Sequence, residues 1–107
     1  MEIAPLSVQM ALQGSVAHVT LHNPAKFNAM SQAMWRQLRQ VFEGLQARTE
    51  VRCIVLRGAG GHFCAGGDIA QYPSFRFDEG TLRAFHEDMV WPALQALLNC
   101  DVPLVAA

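Results

Sequence analysis

The feature that most constrains the fold of this sequence is a short apolar run followed at once by a glycine-rich stretch. The run Cys53-Ile54-Val55-Leu56 is typical of a buried strand in a mostly parallel sheet. Five glycines follow between Gly58 and Gly67, and glycines let a backbone approach a ligand closely. Because loops at the carboxyl ends of strands bind ligands in open α/β sheets, this stretch is a candidate ligand loop. Taken alone, it could equally be a surface loop that binds nothing.

The loop does not meet the requirements of three familiar motifs. A dinucleotide-binding Gly-x-Gly-x-x-Gly that starts at Gly58 needs a glycine where the sequence has Phe63. A P-loop needs a lysine and a Ser/Thr where Gly67 and Asp68 stand. A nucleophile elbow needs a serine, which the loop lacks. A nucleotide-binding α/β module is therefore the weakest alternative, and tight binding of NAD or ATP would support it.

The segment before the apolar run predicts a hairpin and then a helix. Residues 6–12 and 16–22 have strand character on either side of the turn signal Gln13-Gly14-Ser15. Asn23-Pro24 breaks the second strand. The helix is predicted from Ser31, its N-cap, to about Arg48. Its apolar stripe has helical spacing and consists of Met34, Leu38, Val41, Phe42 and Leu45.

The segment after the loop predicts a kinked helix and a last strand. Helical periodicity runs from Asp78 to about Asn99, and Pro92 must kink or split it. The predicted apolar side consists of Leu82, Phe85, Met89, Leu94, Leu97 and Leu98. Residues 102–107 begin another apolar strand, and no turn or covering element follows it. We therefore expect the chain to be cut inside the core of a larger domain.

Composition narrows the class of protein. Of the 107 residues, 51% are apolar and 16% are charged, which fits one globular domain. The net charge of -1 gives no reason to expect nucleic acid or an anionic membrane as a partner. No apolar run approaches the ~20 residues that span a bilayer, and the first five residues lack the pattern of a signal peptide. These features predict a cytoplasmic protein.

The three cysteines, Cys53, Cys64 and Cys100, fit no paired metal-ligand spacing. In a reducing compartment we expect them to be free and mostly buried thiols. The sequence therefore predicts no metal site.

Three blocks of the sequence resemble the signature segments of the crotonase (enoyl-CoA hydratase/isomerase) superfamily. The loop run Phe63-Cys64-Ala65-Gly66-Gly67-Asp68-Ile69 is similar to the superfamily's Phe-[Cys/Ser/Ala]-Ala-Gly-x-Asp-[Ile/Leu]. The block Asn23-Pro24-Ala25-Lys26-Phe27-Asn28-Ala29-Met30 resembles the segment before its first long helix. Asp101-Val102-Pro103-Leu104-Val105-Ala106-Ala107 is similar to its Pro-Val-Ile-Ala strand. The blocks follow the superfamily's order and together form a specific signal.

The resemblance implies an α/β fold, the crotonase-like (ClpP/crotonase) spiral of ββα units, here incomplete at the C-terminus. Residues 1–107 would be the N-terminal part of a single crotonase-like domain. The implied partner is an acyl-CoA thioester, with coenzyme A as part of the substrate and no separate cofactor. By motif position, the Gly67 amide is one of two backbone donors that stabilise the thioester enolate. The CoA-binding residues that the resemblance carries over are Lys26, Phe27, Ala29, Ala65, Gly66, Gly67, Asp68 and Ile69.

Several of these residues have a second interpretation. Lys26 suits a CoA phosphate, but it could equally be a solvated surface lysine. Asp68 is more readily explained as a helix-capping carboxylate than as a group with direct chemistry. We expect His62 to be a loop histidine and Cys64 to be a small packed residue, neither of them catalytic.

Part of the superfamily's site has no counterpart in this sequence. The second oxyanion amide and the acid/base glutamates belong to segments that follow the Pro-Val-Ile-Ala strand. Glu79, Glu87 and Asp88 match no catalytic position and are expected to be solvated helix charges. We therefore expect this chain to be the acyl-CoA-binding part of an enoyl-CoA hydratase/isomerase, which is a lyase or an isomerase. We expect this fragment alone to be inactive. The alternative is a non-catalytic truncated domain that acts in binding or oligomerisation. The full-length form is expected to be a homo-oligomer, a trimer or hexamer.

Overall fold

The computed structural model describes residues 7–107. Leu6, the first residue of the predicted hairpin, and the five residues before it, which bear on targeting, lie outside the described residues. Four strands and three α-helices make up the regular structure of the described part. They are β1 (Ser7–Gln13), β2 (Val16–His22), α1 (Gln32–Gln46), β3 (Cys53–Gly58), α2 (Glu79–Ala84), α3 (Trp91–Leu98) and β4 (Leu104–Ala106).

The strands form one sheet in the order β1-β2-β3-β4. β1 and β2 pair in antiparallel fashion from Ser7 opposite His22 to Gln13 opposite Val16, so the predicted hairpin is confirmed. β3 lies parallel to both β2 and β4, which confirms the prediction for the apolar run. The parallel pairings require crossover connections, which α1 provides before β3 and the α2–α3 segment provides after it.

The core lies between one face of the sheet and the helices. Alternate residues of β2 (Ala17, Val19 and Leu21) are buried, as are Ile54 and Leu56 of β3. The facing stripe of α1 has the predicted members, of which Met34, Leu38, Phe42 and Leu45 are buried and Val41 is partly buried. The predicted N-cap is also confirmed, because the Ser31 hydroxyl accepts a hydrogen bond of 3.1 Å from Met34 N.

The predicted helix around Pro92 is split, and its second half faces the core differently from the prediction. A π-helical segment, Phe85–Val90, separates α2 from α3, and Trp91 N donates to the carbonyl of His86. Pro92 has no N–H to donate and sits in the first turn of α3.

The predicted apolar side of α3 is wrong at two positions, Leu94 and Leu98. Ala93 and Ala96 are buried there, whereas Leu94 is 37% exposed and Leu98 is 72% exposed. Ala93 and Ala96 continue the stripe of Phe85 and Met89 at helical spacings of four, four and three residues. Leu97 packs partly against the core, as predicted. The upstream part of the prediction stands, because Phe85 is buried and Leu82 and Met89 are partly buried.

The topology brings two loops to the same edge of the sheet. β2 and β3 run parallel, so the segment after His22 and the segment after Gly58 leave the sheet on the same side. No helix within the described residues has the length and apolar character needed to cross a membrane.

Candidate functional site at the carboxyl edge of the sheet

The first and second signature blocks lie side by side and are joined by backbone hydrogen bonds. Met30 N donates to Gly66 O at 2.7 Å, and Asp68 N donates to Met30 O at 2.9 Å. These two bonds form an isolated parallel bridge between Met30 and Gly67. A third bond of 3.1 Å joins Ala65 N to Phe27 O. Segments that are far apart in the sequence therefore form one continuous backbone surface.

The bridge determines the direction of the Gly67 peptide N–H. In a ladder, the groups that point toward the partner strand alternate along the chain. Gly66 O and Asp68 N point toward Met30, so the N–H of Gly67 points away from it. Within residues 7–107, the Gly67 N–H donates to no other group, and Gly67 is partly exposed. Gly67, which the signature predicts to be a donor, thus has a backbone N–H that bonds to no group in the described chain.

The loop of the first block has an unusual backbone. Phe27 and Asn28, two consecutive non-glycine residues, have φ values of 52° and 62°. This left-handed conformation is tolerated by asparagine but is costly for a residue such as phenylalanine. Strained residues of this kind concentrate at binding sites, where the surrounding structure maintains them.

Two buried asparagines maintain that conformation. The Asn28 side-chain amide donates to Ala59 O at 2.9 Å and to His62 O at 2.7 Å. Its Oδ1 accepts from Asn23 N at 2.9 Å, and the Asn23 amide donates to Ala29 O at 2.9 Å. Asn28 therefore ties the first loop to the glycine-rich loop.

Asn23 and Asn28 were not among the predicted binding residues. Both stand in the first signature block, and each is at most 1% exposed. Two asparagines five residues apart in a short loop are a usable signal, because asparagine both tolerates positive φ and bonds to nearby backbone groups.

Lys26 and Asp68 form an ion pair across the two blocks. Lys26 Nζ lies 3.0 Å from each oxygen of the Asp68 carboxylate. Asp68 is 5% exposed and Lys26 is 46% exposed. Asp68 Oδ1 also accepts from Ala70 N at 3.1 Å, at the start of a short 3₁₀ helix, Ile69–Ser74. The capping interpretation of Asp68 is therefore confirmed, and the same carboxylate holds the amine of Lys26 beside it.

The remaining predicted binding residues belong to the same two loops and have different environments. Phe27 and Ile69 are exposed by 58% and 78%, which is high for large apolar side chains. Ala65 and Gly66 are exposed, and Gly66 has a φ of 106° that favours glycine. Ala29 is buried. Its N–H donates to Lys26 O, and its carbonyl accepts from the side-chain amide of Asn23.

His62 and Cys64 have the environments that the sequence predicted. His62 packs edge-on against Phe27, with ring centroids 4.8 Å apart. The Cys64 sulfur accepts a hydrogen bond from Gly66 N at 3.4 Å. Cys64 is partly buried and packs against the core. All three cysteines are free, but each is only partly buried.

The acidic side chains of the α2 region lie in solvent. Glu79 and Glu87 pair with Arg83 at 3.2 Å and 3.6 Å, and all three side chains are more than 60% exposed. Asp88 is exposed as well. Residues 7–107 contain no group of three His, Cys, Asp or Glu side chains that could hold a metal ion.

Comparison with known proteins identifies the family. The enoyl-CoA hydratase/isomerase family matches residues 11–107. A probable enoyl-CoA hydratase from Rhodobacter capsulatus is 33% identical over 102 residues, which cover 94% of this chain and 37% of that protein. The mitochondrial Delta(3,5)-Delta(2,4)-dienoyl-CoA isomerase of Mus musculus is 38% identical over 69 residues, covering 64% of this chain and 21% of that protein. The chain therefore belongs to the enoyl-CoA hydratase/isomerase family, within the crotonase superfamily.

A solved structure gives the same result for the fold. The crystal structure of an enoyl-CoA hydratase/carnithine racemase from Magnetospirillum magneticum superposes with a TM-score of 0.90 at 30% identity. The match covers 98% of this chain and 39% of that one. The predicted crotonase-like α/β architecture is confirmed, and the chain spans less than two fifths of the length of these proteins.

Proposed function

We propose that this chain is the acyl-CoA-binding part of an enoyl-CoA hydratase/isomerase, in which the Gly67 amide holds the thioester oxygen while enolate charge develops. The observation that carries the proposal is the unpaired Gly67 N–H, turned away from the Met30 bridge. A fixed donor of this kind binds the charged transition state better than the neutral carbonyl. One such donor typically contributes about 2.7–4 kcal/mol to lowering a reaction barrier.

The CoA part of the ligand would lie along the two joined loops. Lys26 uses two donors on Asp68 and has a third for a phosphate oxygen, since an ammonium group carries three. Phe27 and Ile69 offer exposed apolar surface to the ligand. Ala65 and Gly66 would contact it through their exposed backbone. Ala29 and Asp68 would act by holding the first loop and the lysine in place.

We further propose that the chain does not turn over enoyl-CoA by itself. Proton transfer requires a positioned acid or base. Asp68 is committed to Lys26 and Ala70, and Glu79 and Glu87 are paired with Arg83 in solvent. In the whole protein, residues outside this chain would supply the second oxyanion donor and the proton-transferring carboxylates.

The test is a titration of the ¹⁵N-glycine-labelled chain with butyryl-CoA, followed by NMR. The eight glycines give up to eight amide signals. Bonding to the thioester oxygen should shift the Gly67 signal downfield, whereas free CoA, which has a thiol in place of the thioester, should not. Gly14 and Gly44 lie outside the two loops and should be unaffected. A Gly67 signal that responds equally to CoA and butyryl-CoA would rule out the oxyanion role. A separate activity assay tests the proposed lack of turnover, which measurable hydration of crotonyl-CoA would refute.

A second candidate function, association through an uncovered surface, is favoured by the exposure of α3 and β4. Strand β4 lies at an edge of the sheet, and edge strands favour pairing with another chain. Exposed apolar side chains on the two elements are Trp91, Leu94, Leu98, Leu104 and Val105. The double variant Leu98→Lys with Val105→Lys should shift a self-associated chain toward monomer in light scattering. A monomeric parent chain at high concentration would count against this function.

A further inference from the structure

The hydroxyl of Tyr72 lies directly against Gly67. A Cβ atom built on Gly67 would overlap the Tyr72 hydroxyl oxygen and would lie 3.1 Å and 3.2 Å from two ring carbons, Cζ and Cε1. The end of the phenol therefore fills the space that a side chain at position 67 would occupy. Tyr72 belongs to the 3₁₀ helix that Asp68 caps, and it is not one of the predicted binding residues.

Aromatic packing fixes the position of this ring. The Tyr72 centroid lies 5.2 Å from that of Phe75 and 6.2 Å from that of Phe85. Phe75 and Phe85 stack on each other at 4.1 Å and are 7% and 8% exposed. The supporting helix is anchored to α1, because Gln71 Oε1 accepts from Gln32 N at 2.7 Å. The hydroxyl is thus held in place before any ligand binds.

The hydroxyl itself has no partner in the described part of the chain. No group within residues 7–107 hydrogen-bonds to Tyr72 Oη. Trp35 Nε1 is the only fully buried, unpartnered side-chain atom in this range, so the Tyr72 hydroxyl is at least partly accessible to solvent. A phenol both donates and accepts hydrogen bonds. The oxygen that covers Gly67 therefore still has both functions available to a ligand.

We propose that Tyr72 determines specificity at the acyl-CoA site and that its hydroxyl hydrogen-bonds an oxygen on the second or third carbon of the acyl group. The inference rests on the proposed function, because the Gly67 amide must first hold the thioester carbonyl beside the phenol. A fixed hydroxyl that pairs with a substrate oxygen gains one hydrogen bond. A saturated acyl group gives the hydroxyl no partner and removes water from it, so the site discriminates against saturated acyl groups.

Calorimetry with three acyl-CoA ligands of equal chain length tests the proposal. The parent chain should bind 2-hydroxybutyryl-CoA or 3-hydroxybutyryl-CoA about tenfold more tightly than butyryl-CoA. The Tyr72→Phe variant should bind all three with similar affinity, because the hydroxyl that distinguishes them is gone. Phe77→Leu is the matched control, because Phe77 is 81% exposed and should leave the preference unchanged.

A second measurement needs no variant, because Tyr72 is the one tyrosine of the sequence. Labelling tyrosine with ¹³C at Cζ gives a single NMR signal that reports on the phenol oxygen. We expect this signal to shift with the preferred hydroxylated ligand and to stay nearly unchanged with butyryl-CoA. A purely structural Tyr72 would not distinguish the two ligands.

The outcomes separate this inference from the proposed function. If the parent chain binds no acyl-CoA, the proposed function fails and the inference fails with it. If the chain binds all three ligands equally, or if the preference persists in Tyr72→Phe, the role of Tyr72 is refuted and acyl-CoA binding stands. If Tyr72→Phe does not fold in circular dichroism, the ¹³C signal of the parent chain decides the question.

Discussion

Lys26 Nζ lies 3.0 Å from both carboxylate oxygens of Asp68. This ion pair joins the first signature loop, which contains Lys26, to the second, which contains the nearly buried Asp68. A surface ion pair typically contributes less than about 1 kcal/mol, because water and salt screen it. Burial of Asp68 reduces that screening, and the carboxylate has few other partners. The pair therefore differs from the ordinary surface pairs of this chain.

We predict a coupling free energy of about 1–2 kcal/mol between Lys26 and Asp68 in a double-mutant cycle of Lys26→Met and Asp68→Asn. Asparagine keeps an oxygen for the amide of Ala70, so the cycle isolates the charge interaction. The control cycle uses Arg39 and Glu43, which pair at 2.9 Å with both side chains about half exposed. Urea unfolding gives the four free energies of each cycle, and a coupling no larger than that of the control would contradict the prediction.

Asn28→Asp should destabilise the chain by about 3 kcal/mol or more. Aspartate also tolerates a positive φ, so the backbone can stay as it is. Its oxygens, however, would face the carbonyls of Ala59 and His62, where the Asn28 amide now donates. Two carbonyls would lose their donors, and a charge would be buried without a partner.

The matched control for this variant is Asn99→Asp. Asn99 is exposed at the end of α3, and the same change of charge there should cost less than about 1 kcal/mol. Thermal unfolding of both variants is the measurement. Equal losses at the two positions would show that Asn28 does not hold the loops together.

The sequence predicted the sheet and the site loops well because local patterns determine them. The strand character of residues 16–22 and the turn before them predicted β2, and helical spacing predicted the stripe of α1. The loop signature singled out Gly67 as the candidate donor. The apolar face of α3 was predicted wrongly because its large leucines were favoured over helical spacing. Ala93 and Ala96 continue the spacing of Phe85 and Met89, whereas Leu94 and Leu98 do not.

The contacts between loops were also beyond sequence reasoning. Lys26 and Asp68 are 42 positions apart, and their pairing depends on the tertiary approach of the two segments. The same holds for Tyr72 over Gly67, which depends on how the 3₁₀ helix folds back onto the loop. The residues were visible in the sequence, but which of them face each other is a property of the fold.

Gly58→Ala should destabilise the chain by about 3 kcal/mol, the upper part of the range for overpacking. Gly58 has ordinary extended dihedral angles, so alanine causes no backbone strain. The added Cβ would overlap the carbonyl oxygens of His62 and Phe63 and would lie 2.7 Å from Asn28 Nδ2. Backbone carbonyls cannot rotate away as a flexible side chain can.

Gly44→Ala is the control, and it should have the opposite sign. Gly44 lies inside α1, and its added Cβ meets nothing within 4 Å. Alanine is favoured over glycine in a helix by about 0.5–1 kcal/mol. Denaturant midpoints should therefore fall for Gly58→Ala and rise for Gly44→Ala. A Gly58→Ala variant as stable as the parent would mean that the loop carbonyls have room to move.

Gly67→Ala should destabilise the parent chain by about 1–2 kcal/mol, because its Cβ displaces the end of the Tyr72 ring. The cost should fall below about 0.5 kcal/mol in a Tyr72→Ala background, where the obstructing ring is gone. The three variants and the parent form a double-mutant cycle read by urea unfolding. Near-equal costs of Gly67→Ala in both backgrounds would show that the phenol does not rest on Gly67. A cost confined to the parent background would establish the contact on which the proposed specificity of Tyr72 depends.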